Sequence, residues 1–364
     1  MDATFQNDDA RLLENVEKVL AARRRDGLEG LVGGLAAVVV NTAPDALVPA
    51  AEELLASTAL RFDCAFATDR VDCLVLRDGW GPDLIVQARR GGDNPFLPYN
   101  RGLKTPPSAL SARLETFVFS CSDLPRYVAT QRQRGVAFLT PEPVVTEAFA
   151  WIQTIPSVHT GNSLGFLQWT GRPGCYAHAA TRPLDCVPVK PDRPWFEHIR
   201  GLDHVATRVR ARDRDAAILE FLSLTNYHFE FTVYVESLNS ITSVARLAAG
   251  EYAQVFTSGI SPFSEDAPEA SGPTERFIRN YGLRPHHMAF AVERIETVVS
   301  GLSGQGMTFL SELVGSRAAG LKQIFSTMLP HTYLVNEYIE RYDAFDGFFT
   351  KSNVTRLTKA TERQ

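Results

Sequence analysis

Residues 113–120 (RLETFVFS) and 134–139 (RGVAFL) recur, without a gap, as residues 284–291 (RPHHMAFA) and 305–310 (QGMTFL). In both copies an alternating strand leads into a helix of about ten to fifteen residues, a glycine ends that helix, and a short apolar strand follows. The same opening recurs more weakly at residues 30–60 and 201–224. The sequence therefore predicts four modules that each begin with a strand and a helix, two in each half of the chain.

Four such modules predict an α+β protein. One arrangement that fits is two open, strongly curved mixed sheets, each cupping a cavity with its helices outside. A pair of ferredoxin-like sandwiches would also place a helix behind each sheet, so the repeat alone leaves both open.

A proline-rich stretch separates the two halves. Residues 181–195 hold four prolines, which remove backbone donors and fix φ, so we expect neither a helix nor a central strand there. The predicted organisation is an N-terminal helix at 1–28, a domain without metal ligands at 29–180, a linker at 181–198, and a domain at 199–364 with a metal site and a capping C-terminal helix.

The composition limits the function classes. The 364 residues are 45% hydrophobic and 22% charged, as in folded globular proteins, and the net charge of −5 gives no electrostatic reason to expect nucleic acid or a membrane surface as a partner. No apolar run reaches the roughly 18 residues needed to cross a bilayer, and the polar N-terminus is unlike a signal peptide. The five cysteines form no CxxC pair. We expect a cytoplasmic protein that binds a small molecule, with a homo-oligomer left open.

Two histidines occupy matching places in the second half. His204 and His287 each lie in the strand that opens a module, and both begin a His-x-Ala pattern. The matching positions of the first half fall near Gly34 and Thr116, which bind metals poorly. Any single histidine is more often an ordinary core or surface residue, but this paired placement favours a metal site. No such relation holds for His159, His178, His198, His228 or His331.

Strand alternation selects between neighbouring candidates. In the predicted strand 333–341, Glu337 shares its face with apolar residues, where a carboxylate is costly to bury without a cation, whereas Glu340 lies on a more polar face. His287 shares its face with two alanines, which leave room for a cavity, while His286 lies with bulky residues expected to pack beneath a helix. Two imidazoles and one carboxylate on separate strands are the ligand set of non-haem ferrous oxygenases.

Four short motifs of the second half match one known family. They are LDHV at 202–205, HMA at 287–289, LKQIFS at 321–326 and EYIER at 337–341. With these motifs the chain resembles the 4-hydroxyphenylpyruvate dioxygenase and hydroxymandelate synthase group of the vicinal oxygen chelate (VOC) superfamily. The resemblance implies tandem βαβββ modules of the glyoxalase and bleomycin-resistance type that form two open barrels, with Fe(II) held by His204, His287 and Glu337 in the C-terminal barrel.

The resemblance also implies a chemistry. The substrate would supply its own 2-oxo acid, without separate 2-oxoglutarate, and would lose CO2 as O2 is activated. Gln323 and Phe325 would line the active site, with Ser240 or Ser243 from a predicted strand at 239–247. We also expect Glu275, which takes the place of a pocket glutamine of the family, together with Phe349 and Val354 near the C-terminal helix.

Departures from the family pattern concern the substrate. Residues 257–262 lack the asparagine of the family's pocket, and Val354 and Thr358 stand where the family has two phenylalanines. We therefore expect an Fe(II) dioxygenase that decarboxylates and hydroxylates a 2-oxo acid other than 4-hydroxyphenylpyruvate. One alternative is an extradiol-type ring-cleaving dioxygenase on the same triad, with His286 or His331 as acid/base. Another is a non-catalytic VOC protein that binds a small molecule.

Overall fold

The structure is a computed structural model that describes residues 5–342, 345 and 347–364, except for the side chain of Arg363. The first half begins with helix α1 (Asp9–Arg25). Its first module contains β1 (Val32–Thr42), α2 (Leu47–Ser57), β2 (Arg61–Ala67), β3 (Val71–Arg77) and β4 (Asp83–Arg89). Its second module contains β5 (Arg113–Cys121), α3 (Leu124–Gln133), β6 (Val144–Val145), β7 (Phe149–Gln153) and β8 (Ser163–Trp169). These strands form one mixed sheet in the order β6-β7-β8-β5-β1-β4-β3-β2.

The second half repeats this arrangement. Its first module contains β10 (Ile199–Arg208), α4 (Arg214–Leu224), β11 (His228–Val235), β12 (Ser240–Arg246) and β13 (Ala253–Ser258). After α5 (Gly272–Tyr281), the second module contains β14 (Pro285–Val292), α6 (Ile295–Gly304), β15 (Val314–Ser316), β16 (Leu321–Phe325) and β17 (Val335–Arg341), and α7 (Lys351–Ala360) follows. The sheet order is β11-β12-β13-β10-β14-β17-β16-β15.

The two sheets are built alike at their centres. In the first, β1 and β5 pair antiparallel, with β4 and β8 parallel on their outer sides; in the second, β10 and β14 pair antiparallel, with β13 and β17 parallel outside them. Two modules thus share one curved sheet, which separate ferredoxin-like sandwiches would not give. The predicted α+β class with tandem βαβββ modules is confirmed.

The proline-rich stretch carries little regular structure. Arg182–Pro183 forms β9, which pairs with β2 at the sheet edge, and residues 194–198 form a short 3₁₀-helix. An edge position suits proline, which has no N–H to donate. The predicted domain boundaries themselves stay a prediction.

Ser57, the last residue of α2, forms hydrogen bonds with β17 on the face of the strand that points away from the cup. Tyr338 Oη donates to the carbonyl oxygen of Ser57 over 2.8 Å, and Asn336 Nδ2 donates to Ser57 Oγ over 2.9 Å. Because side chains alternate along a strand, these two contacts turn Glu337 to the opposite face, into the cup of the second sheet. The first half of the chain thereby orients a residue of the second.

The helices give no sign of a membrane span. Within the described residues, none of them combines the length and the apolar character that crossing a bilayer requires.

Candidate metal centre

Strand register brings the three predicted metal ligands together. His204 on β10 lies opposite Ala289 on β14, and Ala289 in turn lies beside Glu337 on β17. His287 is two residues from Ala289 on the same strand, so its side chain shares that face. Two neighbouring rows on the same face of three strands therefore bring both imidazoles and the carboxylate together.

The three side chains form a compact buried group. His204 Nε2 lies 3.0 Å from Glu337 Oε2, and His287 Nε2 lies 3.3 Å from the same oxygen. One ligand atom from each residue falls within 4.8 Å of the others. Among the described residues, the buried His204 Nε2 has its 3.0 Å contact with Glu337 Oε2 but no well-formed hydrogen bond. An imidazole nitrogen that faces a carboxylate in this way fits a metal ion, which both can ligate.

Glu340, the other carboxylate of β17, does not belong to the metal-binding group and contacts the start of α6 instead. Its oxygens accept hydrogen bonds of 2.9 Å each from the backbone N–H groups of Arg294 and Ile295, at the start of α6. It therefore stabilises a helix N-terminus outside the cup.

Two β-bulges set the residues beside the histidines. Along β10, Leu202 and His204 face the consecutive residues Phe290 and Ala289, so Asp203 is an extra residue. Along β14, His287 and Pro285 face the consecutive residues Ala206 and Thr207, so His286 is the extra one. A bulge interrupts the regular alternation. Each bulge residue therefore reaches the histidine that follows it in sequence.

Asp203 supports the first histidine. Its Oδ1 accepts a hydrogen bond of 2.7 Å from His204 Nδ1, and the guanidinium of Arg341 holds the same carboxylate through Nη2 at 3.1 Å. Burial opposes ionisation of Asp203, but the hydrogen bond with His204 and the charge of Arg341 lower its pKa well below the usual range. With Nδ1 protonated, His204 keeps the Nε2 lone pair for a metal.

His286 supports the second histidine. Its Nε2 donates to Gln364 Oε1 over 2.6 Å, and its Nδ1 lies 2.9 Å from His287 Nδ1. Burial is the main cause that lowers the pKa of both histidines well below 6.5, so both are neutral. His286 can then accept the proton of His287 Nδ1, which leaves His287 Nε2 free to ligate.

When no metal is bound, the surroundings shift the pKa values of the two ligand histidines in opposite directions. Burial lowers the pKa of His204, but the charge of Glu337 and the hydrogen bond with Asp203 outweigh burial and raise it to about 9. In the described part of the chain, the other nitrogen of His287 contacts His286 and no carboxylate. A metal would take the place of the proton that His204 carries toward Glu337.

A hydrogen-bonded chain also holds the carboxylate. Gln323 Nε2 donates to Glu337 Oε1 over 2.6 Å, and Asn353 Nδ2 of α7 donates to Gln323 Oε1 over 3.0 Å. The second carboxylate oxygen, Oε2, faces the histidines. The chain thus links α7 to the metal-binding group.

A small cavity of about 50 Å³ opens beside the triad. Its walls include five of the six predicted substrate residues, namely Gln323, Phe325, Ser240, Phe349 and Val354. The Phe325 ring lies 4.7 Å from the His287 ring, and the rings of Phe348 and Phe349 lie 5.4 and 5.2 Å from the His204 ring. Apolar rings thus surround the two histidines, and those of Phe325 and Phe349 also line the cavity.

Glu275 is not brought to this cavity. It is buried, but its Oε1 accepts from the backbone N–H of Ala211 at 2.8 Å and of Gly259 at 3.3 Å, and its Oε2 accepts from that of Phe263 at 3.2 Å. The carboxylate therefore organises a loop. Ser243, the alternative to Ser240, bonds to Thr232 and does not line the cavity either.

The first sheet carries no such triad in its described residues. Its strand register makes Ala37, Thr116 and Gly165 the counterparts of His204, His287 and Glu337. The expected match of His204 near Gly34 was therefore three residues off, because the first repeat was too weak to fix the register. Apolar side chains occupy the space of the cup there, among them Phe66, Val118, Phe149 and Tyr176.

Sequence reasoning gave no role to three residues around the site, namely Asp203, Arg208 and Asn353, and considered His286 only as an acid/base group of the ring-cleaving alternative. Asp203 lies inside the LDHV motif, so its position was visible although its contact was not. Regular alternation assigned His286 to the wrong face, because a β-bulge leaves no clear mark in one sequence. Arg208 lines the cavity four residues after His204.

Comparison with known proteins places the fold. No protein-family model and no curated protein matches the sequence. Among solved structures, the chain is similar to a triple mutant of 4-hydroxymandelate synthase from Streptomyces coelicolor, with a TM-score of 0.63 and 19% identity over 92% of this chain and 99% of that one. It is also similar to a xylose isomerase-like TIM barrel/4-hydroxyphenylpyruvate dioxygenase fusion protein, with a TM-score of 0.61 and 13% identity over 92% of this chain. The match spans about half of the fusion protein, 53% of its length. The chain therefore has the fold of these proteins, with two βαβββ modules in each half.

Proposed function

We propose that this protein is an Fe(II)-dependent dioxygenase that oxidatively decarboxylates and hydroxylates a 2-oxo acid other than 4-hydroxyphenylpyruvate. The observation that carries the proposal is the buried group of His204, His287 and Glu337 at the wall of a cavity. The dioxygenase and synthase names of the two structural neighbours agree with it. A pocket for a non-catalytic ligand would gain nothing from burying a carboxylate against two histidines.

The reaction balances without a further co-substrate. One oxygen atom of O2 enters the carboxylate formed when CO2 leaves the 2-oxo acid, and the other enters a new hydroxyl group on the same molecule. A bound Fe(II) would supply two-electron redox chemistry and open coordination positions for the substrate oxygens and O2.

The chain's own residues would prepare this chemistry. Asp203 and His286 keep the Nδ1 protons on the ligand histidines, so both Nε2 atoms face the same point. Gln323 holds Glu337 by one oxygen and leaves the other for the metal. The rings of Phe348 and Phe349 shield His204 from water, which limits the loss of reactive oxygen species to solvent.

Ring cleavage of a catechol-like diol is the second candidate, and one observation favours it. Such a reaction would want an acid/base group beside the metal, and His286 lines the cavity next to His287. His331, the other candidate, does not line the cavity. The two candidates differ in their products, because only the first releases CO2.

The decisive experiment is an anaerobic Fe(II) titration of the wild type, Glu337→Ala and Glu340→Ala, followed by O2-uptake and CO2-release assays with 2-oxo acids and catechols. Glu340→Ala is the matched control, since it removes a carboxylate from the same strand but outside the cup. We expect one equivalent of Fe(II) in the wild type and the control and none in Glu337→Ala. Circular dichroism spectra would show that all three are folded.

The outcomes separate the candidates. O2 uptake matched by CO2 release from a 2-oxo acid supports the proposal. O2 uptake without CO2 on a catechol supports ring cleavage instead. Undiminished Fe(II) binding by Glu337→Ala, or absence of binding by the wild type, overturns the metal site.

A further inference from the structure

A buried arginine shares the cavity with the metal-binding group. Arg208 lies four residues after His204 on β10, and both belong to the face that looks into the cup, since side chains repeat with a period of two. Arg208 is 4% exposed and lines the cavity. The cup thus holds a cationic group that the triad does not use.

Arg208 has few partners in the protein. Its Nη1 donates to the carbonyl oxygen of Pro273 over 2.9 Å, and its guanidinium carbon lies 4.4 Å from the centre of the Phe277 ring. Among the residues described, no carboxylate forms an ion pair with it. Arg23 and Arg214 differ in this respect, because Glu29 pairs with the first and Asp9 and Asp215 with the second.

An unpaired buried cation is costly and needs an explanation. A buried charge is normally compensated by a partner of opposite sign. Burial lowers the pKa of Arg208 to about 9, which still leaves it charged at neutral pH. A guanidinium has five N–H donors and matches the two oxygens of a carboxylate. The remaining donors therefore suit an anionic ligand in the cavity.

Two threonine residues on neighbouring strands form a polar row with Arg208. Arg208 lies beside Thr257 on β13, and Thr257 lies opposite Thr242 on β12. All three side chains line the cavity. Thr257 Oγ1 is buried and has no hydrogen-bond partner among the described residues, so it too has a proton to donate. Two independent unused donors therefore meet at the same end of the cup.

Between the metal row and this polar row lies an apolar one. Ala206 on β10 pairs with Val255 on β13, which pairs with Val244 on β12. All three are buried, and they belong to one apolar cluster with Phe348. On β10, β13 and β12 this apolar row lies between the row of His204 and the row of Arg208, and on β14 His287 lies beside Ala206 at the end of the apolar row. With about 3.3 Å per residue, the Cα atoms of His204 and Arg208 are about 13 Å apart.

We propose that Arg208, with Thr257 and Thr242, binds an acidic group at the distal end of the substrate, so that the substrate is a short 2-oxo dicarboxylate. This inference rests on the proposed function, in which the 2-oxo acid end binds the metal. Its methylene groups would lie against the apolar row. The cavity of about 50 Å³ has room for only about three to five water-sized groups at about 10–15 Å³ each, so the substrate must be short and its binding must enlarge the cavity.

The test compares matched acids that differ only at the distal end. Isothermal titration calorimetry under anaerobic conditions would measure binding of 2-oxoglutarate against 2-oxopentanoate, and of 2-oxoadipate against 2-oxohexanoate, to the Fe(II)-loaded protein. We expect the wild type to bind at least one dicarboxylate about 10- to 100-fold more tightly than its partner, as charge-assisted hydrogen bonds predict.

Single substitutions test which residues cause the tighter binding of dicarboxylates. Arg208→Gln should remove it and leave binding of the monocarboxylates within about twofold, while Arg208→Lys should keep part of it, because a lysine retains the charge but not the planar fork. Thr257→Val, which keeps the side-chain shape, should weaken dicarboxylate binding only. Arg279→Gln removes a positive charge on α5 outside this cavity and should change nothing. Fe(II) stoichiometry shows that each variant is folded.

Each result has a separate meaning. Equal binding of dicarboxylates and monocarboxylates by the wild type, or a preference that survives in Arg208→Gln, overturns the role of Arg208 and leaves the proposed function standing. Failure of all four acids to bind a protein that holds Fe(II) overturns the short 2-oxo dicarboxylate as substrate, while the proposed function is decided by the O2-uptake and CO2-release assays.

Discussion

Asp203 Oδ1 lies 2.7 Å from His204 Nδ1 although the two residues are neighbours on one strand. Consecutive residues of a regular strand point to opposite faces, so this contact depends on the bulge at Asp203. The bulge at His286 gives His287 a partner in the same way. Each ligand histidine is thus oriented by an adjacent residue of its own strand.

Replacing Asp203 should weaken metal binding without removing a ligand. We expect Asp203→Asn to lower Fe(II) affinity about 10- to 100-fold, because the charge that fixes the protonated Nδ1 of His204 is lost. The measurement is anaerobic Fe(II) titration. Asp213→Asn is the matched control, since Asp213 Oδ1 makes a similar contact of 3.2 Å with His159 outside the site. Equal affinities in both variants would contradict the proposed support.

Two replacements of His286 should behave differently. His286→Leu removes the acceptor for His287 Nδ1, and we expect about a tenfold loss of Fe(II) affinity. His286→Gln can still accept that proton through its amide oxygen and should retain most of the affinity. If activity on a catechol disappeared in His286→Gln while Fe(II) stayed bound, His286 would be the acid/base group of the ring-cleaving alternative.

Glu340 should matter for stability and not for metal binding. It accepts from two backbone N–H groups at the start of α6, so we expect Glu340→Ala to lower the free energy of unfolding by about 1 kcal/mol. Urea denaturation would measure this loss. A fall in Fe(II) affinity of the folded variant would show that the two carboxylates of β17 are not functionally separate.

Glu53 should hold the two halves together. Its oxygens accept from the backbone N–H of His331 at 2.9 Å and from the N–H and hydroxyl of Thr332 at 3.1 and 2.6 Å. Glu53→Ala leaves these donors unpaired, and we expect it to cost about 1–3 kcal/mol at pH 5 by chemical denaturation.

The effect of Glu53 should depend on pH. Burial raises the pKa of its carboxyl above 4.5, so above that pH the folded protein binds more protons at this group than the unfolded chain does. Stability from this group is therefore lost as pH rises through the raised pKa. The difference between wild type and Glu53→Ala should shrink over that range, and a growing difference would contradict the burial argument.

The sequence alone allowed the module repeat to be recognised, because spacing of strands, helices and closing glycines survives where side chains differ. It also allowed the choice of Glu337 over Glu340, since a carboxylate among apolar neighbours on a strand face needs a cation. Both inferences rest on local periodicity, which the order of residues contains.

The tertiary structure determined the bulges, the strand register and the cross-strand contacts, which the local periodicity of the sequence does not contain. Bulges turned Asp203 and His286 toward the ligand histidines, and strand register moved the counterpart of His204 from Gly34 to Ala37. Cross-strand pairing joined Arg208 to Thr257 and Thr242, while backbone hydrogen bonds drew Glu275 away from the cavity. These relationships depend on which strands pair and in which register, and long-range packing determines that.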